Sequence, residues 1–367
     1  METVKKYWTA LTWDKRKMRD LQGWTMVVIG ATDGVGYCAA KSFAEHNAHV
    51  VLVGRNEEKC QKTLEEMKAA AGPHAKLEYM LCDVSSFKSI KKFTDEYKQK
   101  NYPIHVLLNN AAIQSPKGKR GAKTEEGFEI SLGVNHFGLV YLTLHLLDVV
   151  KETAKTVTDP SKTARIVWVT SLGSQLVNPP VIGGTTKRPG IDFLDWEDLK
   201  AEHAEESDWW LYSRSKIYNI MTCKEMARRL QGTGITVLVA HPGLAVTDHF
   251  GKSDSENKWS SKLIETYANS PIGQTAEGGA IPLEFACTAE QLEGHNGSYI
   301  GSPELGLLNV LQAREQVPNA PLCSDPMALD RLWNETVKCI DDAAGENWAK
   351  DGPQAPPATE DTPVMGN

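Results

Sequence analysis

The sequence predicts an α/β protein with a Rossmann fold, in which a single doubly wound parallel sheet of about seven strands has helices on both faces. Two observations support this prediction. Between Thr25 and about Gly301, short β-branched runs alternate with longer helical patterns, as they do in a series of β-α-β units. Several of the short runs are apolar throughout, which is expected of strands that helices cover on both faces.

The predicted elements follow one another along most of the chain. The strands are short apolar or β-branched runs at Met26–Ile29, His49–Val53, Leu77–Leu81, Val106–Leu108, Arg165–Thr170, Thr236–Ala240 and near Ser298–Gly301. The crossover helices are longer periodic segments at Val35–His46, Glu57–Ala71, Ser86–Lys100, Thr124–Val150, Tyr212–Leu230 and Thr275–Cys287. We therefore expect one catalytic domain over residues 23–342. Residues 1–22 are predicted to be a helical extension, and the polar, proline-rich residues 343–367 a disordered tail.

Two long segments interrupt the alternation of strands and helices. They run from Leu172 to Leu211 and from about Asp248 to Ile272, and each follows the carboxyl end of a predicted strand. Open α/β sheets bind their ligands at that edge, and long loops in compact domains are usually functional. Tryptophans in these segments are candidates for an apolar substrate wall, with anchoring of the loops as the alternative: Trp196, Trp209, Trp210 and Trp259.

Charge and composition exclude several classes of function. The net charge of -7 argues against a basic surface for nucleic acid, so no nucleic-acid partner is expected. The seven cysteines form no C-x-x-C pair and the ten histidines no H-x-x-x-H pair, so neither a disulfide framework nor a metal site is expected. We expect a reducing, cytoplasmic location, and homo-oligomer formation is left open.

The N-terminal segment leaves two interpretations open. It lacks the apolar core of a signal peptide, but Val4, Tyr7, Trp8 and Leu11 would share one face of a helix. That face would lie peripherally at a membrane interface or pack on the catalytic domain. The basic residues that would suit an anionic membrane surface are Lys5, Lys6, Lys15, Arg16, Lys17 and Arg19.

A glycine-rich turn with the spacing G-x-x-x-G-x-G follows the first predicted strand and opens into a helix. In a dinucleotide site, glycines allow a tight turn and let backbone N–H groups approach the pyrophosphate, which faces the positive end of the helix. The position between strand and helix favours such a site over an ordinary turn. The residues assigned to this part of the cofactor site are Gly30, Thr32, Asp33, Gly34, Val35 and Gly36.

The end of the second predicted strand indicates which dinucleotide is bound. NAD sites usually carry an acid there for the ribose hydroxyls, but His49–Val53 is followed by Gly54, Arg55 and Asn56. Arg55 can bind a 2′-phosphate, so NADP(H) is preferred, although a solvated surface arginine is the alternative. Asp33 would repel the same phosphate, and NAD(H) therefore remains the second choice.

The third and fourth predicted strands end in further polar residues. Asp83 and Val84 follow the third strand, where an aspartate can accept a hydrogen bond from an adenine amino group. Asn110 and Ala111 follow the fourth strand. Because the carboxyl ends of parallel strands share one edge of the sheet, we assign these four residues to the cofactor site.

A possible acid-base pair begins a later predicted helix. Tyr212 and Lys216 are four residues apart and so share one helical face. A nearby ammonium would lower the pKa of the tyrosine, which alone is a poor acid-base at neutral pH. Ser171 ends the strand Arg165–Thr170, in position to hydrogen-bond a substrate oxygen, and Asn135 lies in a helix with apolar neighbours.

Taken together, these residues resemble the short-chain dehydrogenase/reductase family from about Leu21 to Ile340. The positions that carry the resemblance are Gly30, Gly34, Gly36, Asp83, Asn109, Asn110, Ala111, Asn135, Ser171, Tyr212, Lys216, His241, Pro242, Gly243 and Thr247. The resemblance implies that the tyrosine is the acid-base, that the lysine lowers its pKa and holds the ribose, that the serine orients the carbonyl, and that the asparagine positions a relay water. It also implies cofactor contacts for Pro242, Gly243 and Thr247.

Further motifs look like one branch of that family, which includes retinol dehydrogenases, the WW-domain oxidoreductase and protochlorophyllide reductase. They begin at Glu126, Val134, Ala227 and Asp330. These relatives act on large apolar substrates. The insert before Tyr212 contains no cysteine, whereas the insert of protochlorophyllide reductases carries a functional one. An alkene reductase of that type is therefore a less favoured interpretation than a carbonyl reductase.

The sequence therefore predicts a reductase for an apolar carbonyl substrate of retinoid, steroid or lipid-aldehyde type. Its catalytic residues would be Asn135, Ser171, Tyr212 and Lys216. An alternative from another class is a dinucleotide-binding scaffold or redox sensor that acts through a protein partner.

Overall fold

The computed structural model describes most of the chain. The described residues are Trp13, 15–72, 75–115, 121–157, 164–172, Ser174, 194–202, 206–243, 275–301, 313–316, Pro318 and 320–356. Thr247, Trp259 and the apolar face predicted within residues 1–12 lie outside them.

One eight-stranded sheet forms the centre of the described protein. Its strands are β1 (Thr25–Ile29), β2 (His49–Gly54), β3 (Leu77–Leu81), β4 (Val106–Asn109), β5 (Ala164–Val169), β6 (Ile235–His241), β7 (Tyr299–Gly301) and β8 (Arg314–Gln316). They lie in the order β3-β2-β1-β4-β5-β6-β7-β8, and all neighbours are parallel except β7 and β8. The order reverses between β1 and β4, which is where ligands of such sheets bind. The predicted Rossmann fold is confirmed.

The sequence did not predict β8. This strand consists of three polar residues and pairs antiparallel to β7, with Tyr299 opposite Gln316. Because it has no apolar alternation, nothing in its local sequence distinguishes it from a loop.

Eight helices are described: α1 (Gly34–Glu45), α2 (Glu57–Ala71), α3 (Phe87–Gln99), α4 (Ile130–Thr156), α5 (Asp208–Arg229), α6 (Ala276–Thr288), α7 (Pro326–Ala344) and α8 (Trp348–Asp351). α4 begins six residues after the predicted Thr124, because the carboxylate of Glu129 caps it by accepting from the N–H groups of Ser131 and Leu132. α7 was not predicted. Its apolar stripe includes Leu329 and Leu332, which are buried.

Helices cover both faces of the sheet because strand side chains alternate between the faces. On one face, Val27 and Val239 pack with α3, α4, α5 and α7. On the other, Val28 and Leu238 pack with α1, α2 and α6. Among the described residues, α4 alone is long and apolar enough to cross a membrane, but 94% of its most apolar stretch is buried in this core.

The chain beyond α7 is folded, so the predicted disordered tail starts too early. Glu346 accepts a hydrogen bond of 3.0 Å from the hydroxyl of Tyr141 and lies 3.2 Å from Nε2 of His145. The guanidinium of Arg229 donates to the carbonyl of Pro353 at 3.1 Å. These contacts fix residues 343–356 on the domain, and residues 357–367 lie outside the described part.

The described end of the N-terminal extension packs on α6. Trp13 contacts Phe285 edge-on, with ring centroids 5.4 Å apart. Arg19 donates to the carbonyl of Thr288 at 2.8 Å and pairs with Glu293 at 3.2 Å. Of the basic residues predicted to suit an anionic membrane surface, Arg19 thus binds other residues of the protein. The residues of the 3₁₀ turn Lys15–Lys17 are exposed.

Candidate active site

The turn after β1 requires glycine at two positions. Gly30 has a φ of +80°, and a Cβ there would lie 2.7 Å from the Cα of Ala111. A Cβ on Gly36 would lie 2.2 Å from Nδ2 of Asn110 and 2.4 Å from the carbonyl oxygen of Gly30. Asn110 closes the arrangement by donating from Nδ2 to that carbonyl at 2.8 Å. The structure therefore brings the glycine turn and the residues after β4 together at the switch point of the sheet.

The first turn of α1 presents its positive end at the same edge. Asp33 is the N-cap, and its carboxylate accepts from the N–H of Gly34 at 2.8 Å. The remaining N–H groups of a first helical turn have no partner within the helix, and together with the helix dipole they form an anion site. Val35 is buried, and Thr32 packs so closely on β2 that a Cβ on Gly54 would lie 2.9 Å from its methyl group. The turn thus fits a pyrophosphate.

Arg55 is exposed directly after β2, with Asn56 next to it as the N-cap of α2. Asn56 Oδ1 accepts from the N–H of Lys59 at 2.8 Å. No acidic residue follows this strand before α2. The position on which the predicted choice of dinucleotide depends is therefore occupied by an exposed arginine.

Asp83 lies after β3 and is engaged within its own turn. Its carboxylate accepts from the N–H of Ser85 at 3.0 Å and from its hydroxyl at 2.7 Å. Val84 is buried, and its carbonyl lies so close to α4 that a Cβ on Gly138 would approach it to 2.1 Å. The Asp83 turn is therefore held rigidly between α3 and α4.

α4 contains a π-helical segment, Gly133–Gly138, in which Asn135 is fully buried. Asn135 Oδ1 accepts from the N–H of Ile113 at 2.7 Å, and Nδ2 donates to the carbonyl of Ile113 and to the hydroxyl of Ser215, both at 2.9 Å. Short π segments often occur at functional sites. Both Nδ2 hydrogens are used, so the side chain of Asn135 joins α4, α5 and the segment after β4.

Tyr212 and Lys216 lie in the first half of α5, which begins at Asp208, four residues before the predicted start. Both side chains are buried, and Nζ of Lys216 is 5.6 Å from the ring centroid of Tyr212. Nζ donates to the carbonyl of Val169, the last residue of β5, at 3.1 Å. Tyr212 and Ser171 are joined by a side-chain hydrogen bond. Three of the four predicted catalytic residues therefore meet at the end of β5.

Burial dominates the electrostatics of this pair. It raises the pKa of Tyr212 to about 12, against which the hydrogen bond from Ser171 acts in the lowering direction. It lowers the pKa of Lys216 to about 7. Burial is therefore the main influence on the pKa of both groups, and the lowering of the Tyr212 pKa by Lys216 stays a prediction.

The turn after β6 lies beside this group, since β5 and β6 are neighbours. Pro242 and Gly243 form the turn, and Gly243 has a φ of +73°. His241, the last residue of β6, is fully buried under it. Its position before a Pro-Gly pair was the only sequence signal for this histidine.

Two of the predicted wall tryptophans have different surroundings. Trp209 stacks on Tyr212 with a centroid distance of 6.0 Å, so it lies at the candidate site. Trp196 packs against the core and has the guanidinium of Arg331 4.2 Å from its ring centroid. The structure thus favours the anchoring interpretation for Trp196.

Sequence reasoning missed Arg214, which lies between Tyr212 and Lys216 in the chain. Its guanidinium is buried and donates to the hydroxyl of Tyr218 at 2.9 Å and to the carbonyl of Asp198 at 2.6 Å. Arg214 thereby attaches the end of the long insert to α5. A charged residue in a helix gives no local signal that it is buried.

A parallel sheet with a glycine turn at its switch point and a buried Ser-Tyr-Lys group beside it defines a Rossmann-type oxidoreductase. The family model for short chain dehydrogenase matches residues 24–183. The chain belongs to the short-chain dehydrogenase/reductase family and is an NAD(P)-dependent enzyme, as the sequence motifs predicted.

Several named oxidoreductases are similar to this chain in sequence. The WW domain-containing oxidoreductase of Gallus gallus is 33% identical over 288 residues, which are 77% of this chain and 63% of that protein; the chain thus spans less than two thirds of it. Polyprenol dehydrogenase of Homo sapiens is 30% identical over 276 residues, 75% of each chain. Retinol dehydrogenase 13 of Mus musculus is 29% identical over 322 residues, 87% of this chain and 84% of that protein.

Solved structures show the same fold. L-sorbose reductase from Gluconobacter frateurii, complexed with NADPH and L-sorbose, has a TM-score of 0.57 at 19% identity and covers 78% of this chain and 98% of its own. A 3-ketoacyl-(acyl-carrier-protein) reductase from Brucella melitensis, complexed with NADH, has a TM-score of 0.56 at 20% identity, with 77% and 98% covered.

Proposed function

We propose that this enzyme uses NADP(H) to interconvert an apolar aldehyde or ketone and its alcohol, with Tyr212 as the acid-base. The observation that supports this most is the hydrogen bond between Ser171 and Tyr212 at the end of β5. Two adjacent hydroxyls can both bind one carbonyl oxygen. One of them can hydrogen-bond that oxygen while the other gives it a proton.

In the reductive direction, Tyr212 would donate its phenolic proton to the carbonyl oxygen as negative charge develops there. With a pKa of about 12, the phenol holds this proton throughout the neutral range. Ser171 would donate a hydrogen bond to the same oxygen. The bound nicotinamide supplies the hydride to the carbonyl carbon.

Lys216 would supply the path by which Tyr212 regains its proton. Lys216 lies behind the tyrosine, and with a pKa of about 7 it can lose or gain a proton near neutrality. Asn135 is linked to the same helix through Ser215, whose hydroxyl donates to the carbonyl of Tyr212 at 2.6 Å. The role proposed for Asn135 is to keep the first turns of α5 at a fixed distance from the segment after β4.

The cofactor would lie across the carboxyl edge of the sheet. Gly30, Gly34 and Gly36, with the N–H groups around Thr32 and Val35, would bind the pyrophosphate. Asp83 and Val84 would flank the adenine. Asn110 and Ala111 would lie beside the middle of the dinucleotide, and its nicotinamide end would contact Pro242, Gly243 and Thr247. Lys216 would also reach the ribose.

The preference for NADP(H) depends on Arg55. Its exposed guanidinium follows the strand that would bind the adenosine ribose, and guanidinium groups bind phosphate with charge-assisted hydrogen bonds. Asp33 opposes this preference by its charge. However, its carboxylate is turned toward the N–H of Gly34, which offsets part of that charge.

An apolar substrate is supported by Trp209, which stacks on Tyr212 and would offer its ring to the substrate. The names retinol dehydrogenase 13 and polyprenol dehydrogenase point to the same chemical class.

The test is a panel of carbonyl compounds assayed by the loss of NADPH absorbance. Retinal, steroid ketones, fatty aldehydes and quinones would be compared with short polar ketones at equal concentration. We expect turnover with at least one apolar class and none with the polar ketones. NADPH binding without reduction of any compound would instead support the scaffold or sensor alternative.

A further inference from the structure

His241 connects two parts of the protein that are far apart in the chain. It is the last residue of β6 and is fully buried. Nδ1 accepts from the N–H of Gly243 at 3.1 Å, and Nε2 lies 3.3 Å from Oε1 of Gln316 on β8. Its ring also stacks on Tyr299 of β7, with centroids 5.2 Å apart.

These contacts define one tautomer of His241. Because Nδ1 accepts a hydrogen bond, the single proton of the neutral ring must be on Nε2, which donates to Gln316. Burial lowers the pKa of His241 to about 4, so the ring is neutral near pH 7. Protonation would remove the acceptor that holds Gly243.

The ring has no space to move toward β7. A Cβ added to Gly301 would lie 1.7 Å from Nε2, and its three nearest atoms would all belong to the ring of His241. Gly301 shows no positive φ, so its conformation suits an alanine, but the contact with the ring excludes one. The imidazole is thus wedged between β7, β8 and the Pro242–Gly243 turn.

The turn that His241 holds lies beside the reacting groups. β6 is the neighbour of β5, and Ser171 and the Val169 carbonyl that binds Lys216 lie at the end of β5. The phosphate-binding turn, in contrast, follows β1, which lies two strands from β5 in the sheet.

We propose that His241 is a positioning residue for the reacting end of the cofactor: it fixes the backbone of Gly243 and ties that turn to Gln316 of β8. This inference rests on the proposed function, because it takes the dinucleotide to lie along this edge. It gives the antiparallel strand β8 a role in cofactor binding.

The experiment compares four variants by NADPH fluorescence titration, with circular dichroism and Tm as checks of folding. His241→Leu keeps the volume but removes both ring nitrogens. His241→Asn can restore the bond to Gly243, because an asparagine side chain can accept from the N–H two residues later. Gly301→Ala displaces the ring, and Gln316→Leu removes the β8 partner of the ring.

We expect His241→Leu and Gly301→Ala to raise the Kd for NADPH about three- to tenfold, the effect of one hydrogen bond. The Kd of His241→Asn should stay within about twofold of the wild-type value. The Kd of Gln316→Leu should lie between those of His241→Asn and His241→Leu. As a control, Glu315→Gln on the same strand leaves the ring contacts in place; it can change Tm, because Glu315 contacts Ser298 and His295, but it should not change the Kd for NADPH. A purely structural role would lower Tm without this difference between Leu and Asn.

Wild-type affinity in His241→Leu, or a loss in His241→Asn equal to that in His241→Leu, would overturn the inference. If His241→Leu does not fold, a wild-type Kd in Gly301→Ala would overturn it equally. Failure of the wild-type protein to bind NADPH would instead overturn the proposed function.

Discussion

Lys216 and Tyr212 lie one helical turn apart, with Nζ 5.6 Å from the ring centroid, and burial drives both toward their neutral forms. Between pH 7 and the pKa of the phenol, the pair carries little charge. The tyrosine is therefore ready to act as an acid, whereas its use as a base in alcohol oxidation requires a charge from the bound cofactor or a higher pH.

Tyr212→Phe tests the acid-base assignment. The substitution keeps the ring that packs beside Trp209 and Lys216 and removes only the hydroxyl. We expect kcat to fall by about 10²- to 10⁴-fold, which is typical for the loss of a general acid. The Kd for NADPH, measured by fluorescence, should stay within about twofold, because the pyrophosphate contacts remain.

The matched control is Tyr218→Phe. Tyr218 is also a buried tyrosine of α5, but its hydroxyl bonds to Arg214 and not to Ser171. It should retain turnover even where Tm falls. Equal losses of kcat in the two variants would mean that packing, and not proton transfer, explains the effect.

Lys216→Met tests the cost of burying the amine. The folded pKa of Lys216 is about 7 and the value for an exposed lysine is 10.5. Between these values the unfolded chain binds more protons, so wild-type stability rises with pH across this window. Below pH 7 the wild-type protein bears the full free-energy cost of burying Lys216. The Met variant, which lacks the ionisable group, should be more stable by about 1–3 kcal/mol at pH 7.

The stability advantage of the Met variant should shrink toward pH 10. At that pH the lysine is largely neutral in the unfolded chain as well, so burying the neutral amine, which still bonds to Val169, costs little. Urea unfolding of both proteins at several pH values measures the difference. Lys62→Met, an exposed lysine of α2 whose side chain is 78% exposed, should show no pH-dependent difference. A gap between Lys216→Met and wild type that does not change with pH would contradict the depressed pKa.

The sheet and the helix positions could be predicted because their signals are local. The apolar run of β1 and the periodicity of α2 each show in a short window of sequence. The Ser171, Tyr212 and Lys216 positions could be predicted for a related reason: each occupies an element end or one helical face, and the fold brings such positions to one edge.

What could not be predicted depends on contacts between distant segments. The π segment around Asn135 ends where Gly138 closely approaches Val84, 54 residues earlier in the chain. The polar strand β8 exists because β7 offers it a free edge. Likewise, the raised pKa of Tyr212 follows from burial, which a sequence motif does not show.

Arg55→Ala tests the cofactor preference. An arginine–phosphate contact contributes about 1.5–3 kcal/mol, so the Kd for NADPH should rise roughly 10- to 100-fold. The Kd for NADH, which has no 2′-phosphate, should not change. Isothermal titration with both dinucleotides measures this, and Lys62→Ala on the same surface serves as the charge-matched control. Equal losses for NADPH and NADH would show that Arg55 has a structural role only.

Gly36→Ala tests whether the close packing of α1 on the turn is needed for cofactor binding. Its Cβ would come within 2.2 Å of Asn110 Nδ2 and 2.4 Å of the Gly30 carbonyl, distances that real Cβ atoms do not show. The helix must therefore shift away from the turn, which should cost about 1–3 kcal/mol of stability. We expect the Kd for NADPH to rise at least about tenfold, because the N–H groups at the start of α1 move with the helix.

A second substitution distinguishes the two obstacles that face Gly36. Asn110→Ala in the Gly36→Ala background removes the side chain but leaves the backbone oxygen of Gly30 in place, so affinity for NADPH should not recover. Recovery would show that only the Asn110 side chain opposes the methyl group and that the turn itself tolerates it. A single Gly36→Ala protein with wild-type Tm and Kd would contradict the close packing altogether, and with it the placement of the pyrophosphate at this turn.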